Sequence, residues 1–193
     1  VSAYTCFYFT TNKVKLPKLL QYLPKKLKEQ LSNCSMIEVG CGPGTLMHAW
    51  AETFGEEQVL GGIETSKLMR EQAQRLWNAY FPFQKVKFSD TVFPIQKRPL
   101  CLVFAHSANE MPKEVFFNYV TSLKPEVLIC LEPGTKESFQ HLLEIRKELL
   151  SGDFSIHYPC RSQVSCPLDS EDWCHQMIEV VHPPEIERLC QLV

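Results

Sequence analysis

A glycine-rich loop joins an apolar strand to a helix in the first quarter of this 193-residue chain. The loop reads Glu38-Val39-Gly40-Cys41-Gly42-Pro43-Gly44-Thr45. Glycine at alternate positions allows a tight turn and lets a ligand approach bare backbone. The apolar run Ser35–Gly40 precedes the loop, and the segment Thr45–Phe54 that follows it has the pattern of a helix. A strand, a glycine loop and a helix in this order predict the first unit of an α/β fold.

Predicted strands and helices alternate along the central part of the chain. Further strands are predicted at Gln58–Glu64, Lys85–Phe88, Leu100–His106 and Glu126–Glu132, and further helices at Ser66–Tyr80, Lys113–Ser122 and Lys136–Leu150. Continuous apolar strands that alternate with helices indicate a parallel sheet covered on both faces, with right-handed crossovers. We therefore expect a doubly wound, mostly parallel α/β domain.

Three segments differ in composition. We expect a lysine-rich helical segment over residues 1–34, the α/β domain over 35–152, and a cysteine-rich extension over 153–193. The last segment holds seven acidic residues, two arginines, four cysteines and four prolines. Because this composition cannot form a hydrophobic core by itself, the segment must be attached to the domain or held together by a bound group.

Charge is unevenly distributed. The whole chain carries a formal net charge of −2, whereas the first 37 residues hold six lysines and one acid. Two interpretations are compatible: the lysines form the solvated face of an amphipathic helix, or they meet nucleic-acid phosphates. The apolar face of that helix would consist of Leu16, Leu19, Leu20, Leu23, Leu27 and Leu31. No uncharged stretch is long enough to span a membrane, so we expect no membrane partner. The slightly negative net charge argues against a protein coated in positive charge, and we expect no DNA partner.

Two acidic side chains follow later strands of the predicted sheet. Glu64 ends the second strand, 20 residues after Gly44, and Asp90 lies just beyond the third strand. A carboxylate at the first position can accept both hydroxyl groups of a ribose. A carboxylate at the second position can accept a hydrogen bond from an exocyclic amine such as that of adenine. These positions predict a nucleoside-containing ligand.

The loop and the downstream acid together resemble the class I S-adenosylmethionine-dependent methyltransferases, whose first motif is acid-x-Gly-x-Gly-x-Gly. The resemblance implies that Glu38 with Gly40, Gly42 and Gly44 holds the methionine part of S-adenosylmethionine, and that Glu64 holds the ribose. Two alternatives stay open at this point: glycines that only form a tight turn, and a nicotinamide cofactor. The second is disfavoured because the dinucleotide motif is Gly-x-Gly-x-x-Gly.

Nine cysteines are many for a chain of this length. Five lie in or beside apolar runs, and the other four, Cys160, Cys166, Cys174 and Cys190, lie near the end. An odd number of cysteines without a visible signal peptide favours a reducing compartment over a disulfide framework. The spacing within the last four is looser than that of most zinc sites, so it favours an iron–sulfur cluster over zinc, with free thiols as the remaining alternative.

Candidate catalytic residues are not evident. Pro159-Cys160 is similar to the Pro-Cys pair of C5-pyrimidine methyltransferases. In those enzymes the pair directly follows the fourth strand, whereas here it comes much later in the chain. The residues that do follow the fourth strand, Ser107-Ala108-Asn109-Glu110, do not match the Asn/Asp-Pro-Pro-aromatic motif of amino-methylating enzymes. The catalytic residue therefore stays unassigned.

The order of motifs along the chain is more specific than any one of them. After the glycine loop come Ile63-Glu64-x-Ser66, Ser107-x-Asn109-Glu110-Met111, Glu132-Pro133-Gly134-Thr135, Pro159-Cys160, Cys166-Pro167-Leu168 and Trp173-Cys174-His175. Over residues 35–176 this order resembles the methyltransferase-like family of small-ribosomal-subunit assembly factors of bacteria and mitochondria. The resemblance implies an S-adenosylmethionine-binding fold, association with the small ribosomal subunit and its RNA, and a 4Fe–4S cluster. It also implies a location in the bacterial cytoplasm or the mitochondrial matrix.

The family pattern is carried over residue by residue. Cys160, Cys166 and Cys174 match its first three cluster ligands, whereas its fourth cysteine usually lies further downstream than Cys190, beyond an arginine-rich stretch that this chain lacks. Three functions stay open: an RNA methyltransferase, a ribosome assembly factor that keeps the cofactor fold without catalysis, and a small-molecule methyltransferase with a structural zinc site.

Overall fold

The structure is a computed structural model that describes residues 4–95, 99–168, 172–175, 179 and 184–190. Five parallel strands form one sheet in the order β3-β2-β1-β4-β5. The strands are β1 (Ser35–Val39), β2 (Leu60–Ile63), β3 (Lys87–Ser89), β4 (Leu100–Ala105) and β5 (Val127–Leu131). The predicted doubly wound parallel sheet is confirmed.

Helices precede the sheet and connect its strands. The N-terminal part contains α1 (Thr5–Phe9, wound as a π-helix), α2 (Thr10–Lys13), α3 (Lys15–Tyr22) and α4 (Lys25–Ser32). The connecting and following helices are α5 (Thr45–Phe54), α6 (Lys67–Tyr80), α7 (Lys113–Leu123), α8 (Lys136–Ser151) and α9 (Pro184–Cys190). From Thr45 to Ser151 these bounds agree with the predicted helices to within one residue at each end.

The strand order reverses direction at β1. This strand pairs with β2 on one side and with β4 on the other, so that Val39 lies opposite both Ile63 and Phe104. Every residue of β1 is buried, as expected for a strand in the middle of a sheet covered on both faces. The chain moves from β1 outward to β2 and β3 and then returns to place β4 on the other side of β1. At such a reversal a crevice opens beyond the carboxyl ends of the two adjacent strands, here β1 and β4.

Apolar side chains cover both faces of the sheet. One cluster contains the buried Trp50 of α5 and Trp77 of α6, and the other contains Phe104 of β4 and Phe116 of α7. The rings of Phe104 and Phe116 lie 4.4 Å apart, which is a close aromatic contact. The two clusters hold the ends of the strands rigidly enough to position a site at their carboxyl edge.

The lysine-rich segment differs from the prediction of one amphipathic helix. It forms α3 and α4, separated at Leu23 and Pro24, because the residue before a proline is forced into the extended region (Leu23 has φ −81° and ψ 145°). Five of the six predicted apolar residues are buried, and Leu27 is partly buried. These leucines belong to the same cluster as Trp50, so α3 and α4 pack on the α/β domain.

The cysteine-rich extension has little regular structure where it is described. Between Gly152 and Leu168 the chain forms no helix or strand, and Arg146 of α8 holds it by donating to the carbonyl oxygens of Ser162 and Val164. Tyr158 stacks on Tyr22 of α3 with a ring distance of 6.2 Å. Across the described residues, no helix has both the length and the apolarity that crossing a membrane demands.

Candidate functional site

A cleft of about 520 Å³ lies at the carboxyl edge of the sheet, where the strand order reverses. The glycine loop after β1, the turn after β2 and the turn after β4 all line it, as does the N-terminal part of the chain. Its size is in the range of small-molecule sites. Four of the six residues that the sequence predicts for the cofactor line the cleft, namely Glu38, Gly40, Gly42 and Glu64. A fifth, Gly44, directly precedes the lining residue Thr45.

Each glycine of the loop adopts a left-handed backbone conformation. Their φ angles are +66° at Gly40, +51° at Gly42 and +81° at Gly44. A β-carbon at Gly40 would lie 2.6 Å from Cβ of Ser107, so this glycine lets the ends of β1 and β4 approach each other. A β-carbon at Gly42 would meet nothing within 4 Å. Gly42 therefore presents bare backbone to the open part of the cleft.

Glu38 is a buried carboxyl group at the base of the cleft. Its Oε2 accepts a hydrogen bond of 3.1 Å from the backbone N–H of Met47 in the first turn of α5. Burial nevertheless raises the pKa of Glu38 to about 8, and the nearby Glu64 adds to this effect, while the backbone N–H groups oppose it. Glu38 is thus a group that a nearby cation would ionise.

The burial of Glu38 predicts a pH-dependent stability. Since its pKa is about 8 in the folded protein and 4.5 for the unperturbed group, the folded state binds more protons than the unfolded state between these values. The contribution of Glu38 to the free energy of unfolding should therefore fall as the pH rises from 5 to 8, by about 2 to 4 kcal/mol. Glu132, His48 and His106 also have shifted pKa values and add slopes of their own. Urea unfolding of the protein and of Glu38→Gln at several pH values isolates the contribution of Glu38 as the difference between the two slopes. Glu38→Gln should remove this contribution and stabilise the protein at pH 8, and an unchanged slope in the variant would contradict the assignment.

Glu64 connects the glycine loop to the turn after β2. Its Oε2 accepts from the N–H of Gly42 at 2.9 Å and its Oε1 accepts from the N–H of Ser66 at 2.8 Å. Asp90 lies apart from this arrangement. It does not line the cleft, and its Oδ2 pairs with Arg70 at 3.2 Å.

The turn after β4 is held by buried polar contacts. His106 has a left-handed backbone (φ +57°), which is unusual for a residue with a side chain. The hydroxyl of Ser107 donates to the carbonyl of Val39 at 2.6 Å, and Oε1 of Glu132 accepts from the N–H groups of Ser107 and Ala108 at 3.2 and 2.9 Å. These bonds hold His106 at the wall of the cleft.

The N-terminal helices supply a second wall. Tyr4, Tyr8 and Asn12 line the cleft, and the rings of the two tyrosines lie 4.6 Å apart. Burial raises the pKa of Tyr4, and nearby acidic groups, with Glu110 the strongest among them, add to this effect. Lys15 reaches the same side of the site, since its Nζ lies 2.7 Å from Nε2 of His106.

The charged residue types that line the cleft are acidic. Three glutamates line it, namely Glu38, Glu64 and Glu110, and neither lysine nor arginine occurs among its lining residues in the described part of the chain. A site of this kind favours a ligand with positive charge and disfavours a phosphate or pyrophosphate group. It differs in this respect from sites in which basic side chains hold nucleotide phosphates.

The predicted metal ligands are only partly described. Cys160 and Cys174 are exposed, Cys166 is partly exposed, and all three thiols are free. The side chain of Cys190 lies outside the described residues. Within the described ranges, no three His, Cys, Asp or Glu side chains are close enough together to hold a metal ion. The predicted iron–sulfur cluster and its zinc alternative stay predictions.

Several residues of the cleft had no signal in the sequence. Tyr4, Tyr8, Asn12 and Lys15 reach it only because α1 to α3 fold back over the domain, and the sequence contains no motif for that packing. His106 did have a signal, because it ends an apolar strand next to the crevice and is followed by a polar run.

A protein-family model matches nearly the whole chain. The model of the family described as Rsm22, mitochondrial small ribosomal subunit, matches residues 1–191. No curated protein sequence matches the chain.

Many solved structures are similar in fold. Magnesium protoporphyrin IX methyltransferase from Synechocystis with bound SAM is 14% identical, with a TM-score of 0.49, over 69% of this chain and 68% of that chain. A SAM-dependent methyltransferase from Thiobacillus denitrificans in complex with S-adenosyl-L-homocysteine is 17% identical, with a TM-score of 0.46, over 74% and 63%. The PKMT2 protein of Rickettsia typhi in complex with AdoHcy is 17% identical, with a TM-score of 0.42, over 66% and 26%.

Proposed function

Because this chain belongs to the Rsm22 family of the mitochondrial small ribosomal subunit, we propose that it is an S-adenosylmethionine-binding, methyltransferase-like protein that acts on or docks to that subunit. The proposed location is the mitochondrial matrix, because the family is described as mitochondrial. The observation that carries the proposal is the combination of bare glycine backbone and acidic lining in the cleft between β1 and β4.

S-adenosylmethionine matches this cleft in charge. The donor carries an ammonium and a sulfonium group, and its only anionic group is a carboxylate. Glu64 and Glu110 suit the two positive groups, and Glu38, which is protonated near neutral pH, can ionise beside one of them. The pyrophosphate of a nicotinamide cofactor would be disfavoured by the same acidic lining. This argument favours the methyl donor over the nicotinamide alternative on grounds that are independent of the glycine spacing.

Different residues of the site would bind different parts of the donor. Glu64 lies where it can accept the two ribose hydroxyls, and Gly42 leaves space for the ligand to approach the backbone. Glu38 supplies a carboxyl group that ionises next to a cation. Asp90 remains a proposed adenine contact. Its carboxylate would have to release Arg70 or bind Arg70 and the adenine amine at the same time.

The donor supplies an activated methyl group when bound. Transfer then depends mainly on holding the acceptor in line with the sulfonium, so a site can work with few catalytic side chains. The chain's own contribution would be orientation by the loop and exclusion of water by Tyr4 and Tyr8. An assembly factor without catalysis would use the same site to bind the donor.

Substitution of Gly42 tests the cofactor proposal. Gly42 and Gly55 both have positive φ and open space around the missing β-carbon, but only Gly42 lines the cleft. Both changes to alanine should therefore cost about 1 kcal/mol of stability from backbone strain. In calorimetry, Gly42→Ala should weaken binding of S-adenosylmethionine about tenfold or more, since this glycine allows close approach of the ligand. Equal affinities for the two variants, or no binding to the unsubstituted protein, would refute the proposal.

Transfer of labelled methyl groups separates the two functional classes. Purified small ribosomal subunits or their RNA are incubated with the protein and labelled donor. Incorporation that is lost in Gly42→Ala and kept in Gly55→Ala indicates an RNA methyltransferase. Stable association with the subunit without incorporation indicates an assembly factor, and incorporation only into small molecules favours the third class.

We also propose that Cys160, Cys166 and Cys174 hold a 4Fe–4S cluster, with Cys190 as the fourth ligand and zinc as the alternative metal. Support comes from the three free thiols of one irregular segment, because such loops become ordered when thiolates bind a metal. Anaerobically purified protein should be brown and contain iron and acid-labile sulfide. Cys166→Ser should lose most of the iron, whereas the matched change of Cys6 should not. Colourless protein with one zinc per chain would overturn the iron–sulfur assignment.

A further inference from the structure

Two basic side chains meet at one end of the cleft. Nζ of Lys15 and Nε2 of His106 are 2.7 Å apart, and both side chains are only partly exposed. Burial lowers the pKa of His106 to about 4, and the charge of Lys15 adds to this effect, so the ring is neutral near pH 7. Burial also lowers the pKa of Lys15, and Glu132 opposes this change. The ammonium of Lys15 can donate to the neutral ring and keep further donors for a ligand.

The position of this pair is determined by the ends of β1 and β4. The N–H of His106 donates to the carbonyl of Leu131 at 2.8 Å. Its neighbour Ser107 is bonded to Val39 and lies against Gly40. His106 is thus beside the first glycine of the loop, at the opposite end of the site from Glu64. Its left-handed backbone turns it into this wall, and strained residues of this kind concentrate at functional sites.

One carboxyl group near the pair, that of Glu132, offsets its charge only in part. Glu132 raises the pKa of Lys15, but burial raises the pKa of Glu132 itself to about 7, and its Oε1 already accepts from the backbone N–H groups of Ser107 and Ala108. Arg70, a basic residue of α6, donates to the carbonyl oxygens of Glu64 and Thr65 and pairs with Asp90. Among the described residues, His106 lines the cleft, and Lys15 contacts its ring there.

The proposed donor carries one group that the rest of the cleft would repel. Its α-carboxylate is negative, and Glu64 and Glu110 of the lining are acidic as well. With the ribose at Glu64, the methionine arm extends along the glycine loop toward Gly40, which brings its end to the turn after β4. A carboxylate there would accept a charge-assisted hydrogen bond from a remaining donor of the Lys15 ammonium.

We propose that Lys15 and His106 form the subsite for the α-carboxylate of the methyl donor. This inference rests on the proposed function. It assigns α3, which precedes the α/β domain, a direct part in ligand binding. Lys15 is the main cation of the subsite, and His106 orients it and presents its own ring to the cleft.

The experiment compares two ligands that differ in this group alone. S-adenosylmethionine and decarboxylated S-adenosylmethionine are titrated into the full chain and into Lys15→Met. Lys15→Met should weaken binding of S-adenosylmethionine about 10- to 100-fold, the effect of one charge-assisted hydrogen bond. It should leave the affinity for the decarboxylated ligand within about twofold, because that ligand has no group to place there.

Control variants separate charge from folding. Lys26→Met removes an exposed lysine of α4 and should change neither affinity. Lys15→Arg should retain most of the affinity for S-adenosylmethionine, and His106→Asn, which tolerates the left-handed backbone, should show a smaller loss confined to the same ligand. Thermal unfolding of each variant shows whether it is folded, and the selective loss in His106→Asn remains the test if Lys15→Met does not fold.

The outcomes are distinct. A selective loss for the carboxylate-bearing ligand supports the subsite. If the unsubstituted protein binds both ligands and Lys15→Met weakens both equally or neither, the subsite is wrong and the cofactor proposal stands. If the unsubstituted protein binds neither ligand, the cofactor proposal fails and the subsite fails with it.

Discussion

Gly40→Ala should destabilise the protein more than any other single methyl group added in the glycine loop. The new β-carbon would lie 2.6 Å from Cβ of Ser107, a contact that real structures do not contain. Ser107 cannot move away easily, since its hydroxyl donates to the carbonyl of Val39. Left-handed strain and overpacking together predict a loss of about 2 to 5 kcal/mol in the free energy of unfolding, measured with urea.

A double variant separates the two causes. Ser107→Gly removes the atom that collides with the new methyl group, so Gly40→Ala should cost less in that background than in the original protein. The part that remains is the strain of a φ of +66°, which Gly42→Ala shares without a collision. A cost of Gly40→Ala that equals the cost of Gly42→Ala in the original background would contradict the packing argument.

Glu64→Ala should reduce the affinity for S-adenosylmethionine about 100-fold, because two charge-assisted hydrogen bonds to the ribose would be lost. The effect on folding should be small, since the N–H groups of Gly42 and Ser66 are close to the cleft and can bind water instead. Calorimetry with S-adenosylmethionine measures the change.

Methionine, which lacks the ribose, is the ligand control, and its weak binding should be indifferent to the substitution. Glu52→Ala is the protein control, because Glu52 is exposed on α5 and pairs with Lys13 outside the cleft. Asp90→Ala in the same series tests the proposed adenine contact. Unaltered affinity of Glu64→Ala for S-adenosylmethionine would remove the ribose assignment.

Most of the α/β domain could be predicted because its signals are local. Continuous apolar runs indicated the strands, and Ser66 and Thr135 mark helix starts, where their side chains accept from the N–H groups three residues later. The parallel order follows from the alternation of strands and helices, since each crossover needs a helix. The break between α3 and α4 was missed, although Pro24 was its visible cause.

The candidate site could be predicted only where it consists of one continuous segment. The loop from Glu38 to Thr45 is such a segment. Glu64 could be added to it because, in folds of this type, an acidic residue at the end of the second strand accepts hydrogen bonds from the ribose hydroxyls. Lys15, by contrast, meets His106 across 91 positions of sequence, through the packing of α3 on the domain. Contacts of this kind depend on tertiary structure and leave no periodicity or motif in the sequence.

The protonation of Glu38 has a consequence for any ligand of the cleft. This carboxyl holds its hydrogen ion near neutral pH because no cation of the described chain offsets its burial. An ammonium or sulfonium group that comes to rest beside it favours the ionised form, so uptake of the ligand and release of the hydrogen ion become one equilibrium. Affinity should then increase as the solution is made more alkaline up to about pH 8, and the heat of binding should vary with the ionisation enthalpy of the buffer.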